Sequence, residues 1–173
     1  MVKINADPKM TSATFFGTRD VLKDNYLFRY IGARLGLYGN SAADAIYFGI
    51  FVDESQKPLD ASSTSYSFRL EKDKFPPNKA FWSLTIYDGK TQLLVPNEIK
   101  RYLLNSTTMD HYRYGGDGSL TILISHKAPG SGDMPNWLPA PSGPFYLVLR
   151  IYRPDASVAN ATWRKPPVRA IEA

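Results

Sequence analysis

From Phe145 to Tyr152 the chain alternates without a break. Phe145, Leu147, Leu149 and Ile151 fall on one side of a two-residue period, and Tyr146, Val148, Arg150 and Tyr152 on the other. That pattern predicts a strand over 144–153. Similar runs at 45–53, 64–71, 80–88 and 119–126 predict further strands, because turn-forming clusters separate them: Asp60-Ala61-Ser62-Ser63, Pro76-Pro77, Asp88-Gly89, Gly115-Gly116-Asp117-Gly118 and Gly130-Ser131-Gly132. A different period governs 24–37. There Leu27, Phe28, Ile31 and Leu35 recur at three- and four-residue spacings, which predicts one amphipathic helix closing at Gly36 or Gly39 and lying over a sheet. Asn40 to Asp44 reads as a single capped turn, because the residues after it favour strand. The 93–104 stretch fits an edge strand or a short helix, and Pro96 bars it from a sheet interior. In the tail from Asp155 a helical turn is expected, then Trp163 packing back, with the last few residues fraying.

Short strands with a helix at only one end predict a mainly β chain: an antiparallel jelly-roll-like β-sandwich with one N-terminal α-helix, not a parallel sheet with crossover helices. With 173 residues, the expected organisation is a single domain over 1–173 with its core at about 17–168.

Composition narrows the chemistry. The absence of cysteine removes disulfides, thiolate metal sites and thiol nucleophiles together. The net charge of +5 invites a nucleic-acid reading, but Lys and Arg are scattered. Their densest clusters, Lys72 to Lys79 and Arg164 to Arg169, are interrupted by Asp73, prolines and apolar residues, so no basic stripe forms. No apolar run is long enough to predict a membrane span, and MVKINADPKM lacks the apolar core of a signal peptide.

Four blocks resemble one family. NYLFRYIGARLGLYGN (Asn25 to Asn40), PPNKAFWSLTIYD (Pro76 to Asp88), DGSLTILIS (Asp117 to Ser125) and NWLPAPSGPFYLVLRIYRP (Asn136 to Pro154) are similar in order and spacing to the family catalogued as domain of unknown function 1214, and TWRKPPV (Thr162 to Val168) fits as well. The resemblance implies a jelly-roll sandwich that often forms the C-terminal half of larger, exported proteins, hence a periplasmic or secreted setting. It implies no agreed activity. Arg101 and Tyr102 match the family's Arg-Tyr pair, whereas Pro96-Asn97 reverses its Asn-Pro.

Catalytic signatures are absent. There is no G-x-S-x-G elbow, and His111 and His126 sit in a turn and at a strand end. No His-x-His or His-Glu-x-x-His spacing would hold a metal, so no metal or other cofactor is expected. Asp88 and Asp117 read as turn formers, and the glycines at 115–118 as a hairpin. What remains is a polar, aromatic sheet face. Tyr87 and Thr85 come from one strand, Tyr47 from another, and Tyr146, Arg150 and Tyr152 from a third. Arg101 and Trp137, the latter on a proline-stiffened arm, complete the candidate ligand-binding set. Such a face would stack a sugar ring and fork an anionic group. The same residues also describe a solvated sheet face, and Arg150 equally fits a pillar bonded to loop carbonyls or paired with Asp88. The leading expectation is a non-catalytic binding or accessory module for a hydroxylated or anionic small molecule, with carbohydrate the candidate class. The alternatives are a hydrolase or lyase using Arg and Tyr residues, and a homo-oligomerisation module.

Overall fold

Eight strands form two four-stranded sheets in a computed structural model that describes residues 12–36 and 39–171. The strands are β1 (Ala45–Ile50), β2 (Ser65–Leu70), β3 (Trp82–Asp88), β4 (Leu103–Asn105), β5 (Leu120–Ser125), β6 (Trp137–Pro139), β7 (Phe145–Tyr152) and β8 (Val168–Ile171). One sheet has the order β1-β7-β3-β4, the other β6-β5-β2-β8. The chain divides into two compact units. The first holds the described residues through Phe48, Pro76–Trp82 and Arg150–Arg164; the second holds Gly49–Phe75, Ser83–Leu149 and the stretch from Lys165.

In the second unit the alternating pattern becomes a core. β2 turns Tyr66, Phe68 and Leu70 inward, and its antiparallel register sets them opposite Ile124, Ile122 and Leu120 of β5. Leu84, Ile86, Leu147 and Leu149 of the other sheet are wholly buried too. Each such side chain contributes about 1.5–3 kcal/mol on leaving water, so the facing apolar rows hold the sandwich closed. Tyr66 and Phe145 join the two sheets edge to face, with ring centroids 5.5 Å apart.

The first unit carries the helices α1 (Arg19–Leu22), α2 (Tyr26–Leu35) and α3 (Ala156–Ala159). Asn25 Oδ1 accepts the Phe28 N–H at 3.1 Å to start α2, and the Gly36 N–H donates to the Gly32 carbonyl at 3.0 Å to end it. Gly32 is buried, and a Cβ there would come within 3.1 Å of the Phe15 carbonyl oxygen. Trp163 packs edge to face on Phe48 at 6.1 Å.

Several expectations need correction. Leu27, expected on the packed face of α2, is 63% exposed, because Gly32 and its contact with Phe15 and Phe16 turn a different stripe inward. Of the other inward positions, Phe28 and Ile31 are half-buried, while residues 37–38 and the Leu35 side chain lie outside what is described, as does the MVKINADPKM start. The 93–104 stretch forms neither a helix nor a continuous strand. Leu94 makes one bridge to Tyr87, pairing is interrupted around Pro96, and only Leu103–Asn105 joins β3. The expected antiparallel pairing holds for β2 with β5 and β8 and for β3 with β4, while β6 runs parallel to β5. A strand that the sequence pattern did not predict, β8, pairs with β2 from Phe68↔Val168 to Ser65↔Ile171, and residues 172–173, where fraying was expected, lie outside what is described.

Candidate functional site

Three aromatic rings of the second unit stack in a row. Tyr146 of β7 lies 5.2 Å from Phe51 at an interplanar angle of 17°, and 5.2 Å from Tyr87 of β3 at 13°. Since β7 runs between β1 and β3, Phe51 and Tyr87 flank Tyr146 on opposite sides. Strand spacing of about 4.8 Å is what permits this, because side chains at matched heights on neighbouring strands sit one ring offset apart. Gly49 makes room for it. A Cβ there would meet the Phe51 ring at 2.5 Å, so the glycine lets that ring lean along the strand into the row. Phe51 is 38% exposed, and Tyr87 and Tyr146 are half-buried. Leu94, paired with Tyr87, and Leu103, paired with Thr85, extend the same face with exposed apolar surface.

Of the candidates named from the sequence, Tyr87 and Tyr146 are therefore brought together. Thr85 shares their face but is buried, as is Ser83, so this half of β3 is no solvated polar surface. Arg150 is half-buried on β7 and engaged with other groups. In the first unit, Tyr152 stacks on Phe81 with centroids 4.3 Å apart, and the Tyr47 hydroxyl accepts the Asn40 side-chain amide at 2.5 Å.

Arg101 and Trp137 meet through the backbone. Arg101 Nη1 donates to the carbonyls of Met134 at 2.6 Å, Trp137 at 2.8 Å and Pro135 at 3.3 Å. Trp137 is 8% exposed, and its indole N–H donates to the Ser125 carbonyl at 3.1 Å. Both therefore brace the segment leading into β7. Two asparagines that the sequence reading left without a role act beside them. Asn97 closes its loop by accepting the Arg101 N–H at 2.9 Å and donating to the Arg101 carbonyl at 2.8 Å. The buried Asn136 donates to the carbonyls of Arg113 and Thr121 and accepts the Arg113 N–H. The signal for both was an asparagine beside proline, at a loop boundary.

The acids act as turn formers, as expected. Asp88 Oδ1 accepts the N–H groups of Thr91 at 2.7 Å and Lys90 at 2.9 Å, which hold its carboxyl below the usual range. In Asp117 the Ser119 hydroxyl and N–H do the same, and its second oxygen pairs with Arg69. Tyrosine hydroxyls are likewise spent on backbone. Tyr66 bridges the N–H and C=O of Asp60, and Tyr112 bridges those of Asn105 on β4. His111 and His126 are exposed. Burial lowers the pKa of Lys165. Among the described residues no group of His, Asp or Glu converges as a metal site would require, and no helix is long and apolar enough to cross a membrane.

Two four-stranded sheets closing on a shared apolar core, with an aromatic row on one outer face, define a mainly β, jelly-roll-like sandwich protein. The chain belongs to the DUF1214 family, described as proteins of unknown function, whose model matches residues 44–156. Its fold is similar to that of the VPA0106 protein from Vibrio parahaemolyticus, with a TM-score of 0.76 and 30% identity, over 99% of this chain and 41% of that one. The chain thus spans less than half the length of that relative. A weaker similarity, TM-score 0.47 and 15% identity over 74% of this chain and 29% of the other, links it to an uncharacterised protein from Burkholderia cenocepacia. No curated protein matches.

Proposed function

We propose that the chain is a non-catalytic binding or accessory domain whose ligand seats on the row Phe51–Tyr146–Tyr87. The observation supporting this is the stacking of three half-exposed rings on adjacent strands. Tyr146 has a ring on each side, so a ligand cannot lie flat on it. Phe51 ends the row and is the most exposed of the three. The C–H face of a sugar ring, or another flat apolar ring, packs on such a face, with its hydroxyls left to water or neighbouring backbone. A hydroxylated small molecule, with carbohydrate as the leading class, is the reading that suits this geometry. Arg101 does not provide the anion fork in this reading, since its Nη1 already serves backbone carbonyls.

A thermal-shift screen against mono- and oligosaccharides, carboxylates and phosphates tests the reading. A ligand at a hundred times its dissociation constant adds about 2.7 kcal/mol of stability. The expected result is a shift with sugars that disappears in Phe51→Ala while folding is retained. A shift with phosphates alone, or one indifferent to Phe51, contradicts it.

A further inference from the structure

The first unit carries an apolar face that its own packing leaves open. In α2, Tyr26, Tyr30 and Arg34 follow one another at four-residue intervals, with Leu27 beside them. At 100° per residue all four fall within about a third of the helix circumference. Tyr26 is 73% exposed, Tyr30 67% and Leu27 63%, and on the adjoining α1 Val21 is 70% exposed. The opposite side of α2 is occupied by Gly32 against Phe15 and Phe16. A helix apolar on both sides needs a second neighbour, and contiguous exposed apolar surface of this kind marks an interaction site.

We propose that this face pairs with a second copy of the chain, α2 against α2 and antiparallel about a two-fold axis near Tyr30. Charge complementarity selects this occupant. Asp24 lies just ahead of α2 and Arg34 in its last turn; both are exposed, and neither forms an ion pair among the described residues. A two-fold axis through the middle of the helix brings Arg34 to the end of α2 where Asp24 of the partner subunit stands, and does so twice, as an isologous interface requires. It also opposes the two helix dipoles favourably. Arg29 of the same chain lies over the Tyr26 ring, 5.9 Å from its centroid, and donates to the carbonyls of Leu22 at 3.1 Å and Lys23 at 2.8 Å, so it is held on its own helix and leaves Asp24 to Arg34 of the partner subunit. Tyrosine and arginine are the residue types that dominate interface energetics.

One ten-residue helix with its neighbour offers less than the ~800 Å² per partner of a standard interface, so a weak, concentration-dependent dimer is expected. The test is sedimentation equilibrium of the full chain, from about 10 µM to about 500 µM, a span that brackets such an affinity. The mass should rise from 19.4 kDa toward twice that value. Arg34→Asp and Asp24→Arg should each weaken the dimer about tenfold or more, Tyr30→Glu should abolish it, and the double reversal Asp24→Arg with Arg34→Asp should restore it. Circular dichroism checks that each variant is folded. A mass fixed at the monomer value over the whole range overturns the proposal and leaves the face to some other occupant. A dimer indifferent to these substitutions, or one that the double reversal fails to restore, overturns it equally.

Discussion

Arg101 holds the carbonyl of Trp137 at 2.8 Å, and through it fixes where the chain turns into β6. The same Nη1 reaches the Met134 carbonyl, so one guanidinium nitrogen ties the loop around Asn97 to the segment that precedes β7. β6 pairs with β5 on one side, and on the other the Trp137 carbonyl is taken by Arg101 while Pro139 has no N–H to offer. Arg101→Ala should therefore cost about 2–3 kcal/mol, since it strands carbonyls that a charged donor now satisfies. Arg101→Lys should recover less than half of that, because the shorter lysine stem does not carry its ammonium to the carbonyls that Nη1 reaches. Urea unfolding of the three proteins measures both.

Tyr112 closes another edge. Its hydroxyl accepts the Asn105 N–H at 2.9 Å and donates to the Asn105 carbonyl at 3.0 Å, on the outer edge of β4. Tyr112→Phe should lower stability by about 1–2 kcal/mol and expose an unpaired strand edge. Denaturant midpoints report the first effect, and light scattering on mild heating reports the second as earlier aggregation than in the parent chain.

Gly49 has an indirect role that a substitution can expose. Its missing Cβ is where the Phe51 ring lies, so Gly49→Ala should push that ring out of the row at a cost of about 1 kcal/mol. Near-ultraviolet circular dichroism of the tyrosines should change while the far-ultraviolet spectrum does not.

Acid stability follows from the turn carboxylates. Asp60 and Asp117, through their serine partners, and Asp88, through the Thr91 N–H, all titrate below the ordinary value of 3.8 in the folded chain. The folded state then binds fewer protons than the unfolded one in that range, so stability is fully present above about pH 4 and falls as the pH drops through the lowered values. Asp88→Asn should flatten this decline. Unfolding free energies measured between pH 2 and pH 5, expected to span the lowered range, give the slope directly.

Much of the fold was legible because its strands obey a simple period. β7 shows the expected alternation residue by residue, and the glycines at 115–118 form the hairpin their type predicts, with the Gly115 N–H donating to the Ser119 carbonyl at 2.9 Å. β6 and β8 were not legible. Each is short and proline-flanked, and each exists because a longer neighbour offers it an edge, a tertiary effect with no local period. The site divides in the same way. Strand phase put Tyr87 and Tyr146 on polar strand faces, but their stacking needs β7 to lie beside β3, and Phe51 enters the row because Gly49 lets it lean. Arg101 carries nothing in its neighbourhood in sequence to announce that its acceptors lie more than thirty residues ahead.

The proposed ligand seat is the row Phe51–Tyr146–Tyr87. Calorimetric titration of the sugar that gives the largest thermal shift, into the parent chain and Phe51→Ala side by side, tests it most directly. Binding in the parent that weakens tenfold or more in Phe51→Ala, a loss of about 1.4 kcal/mol, is the predicted result. Equal affinity in the two proteins, or no heat of binding in either, would contradict it.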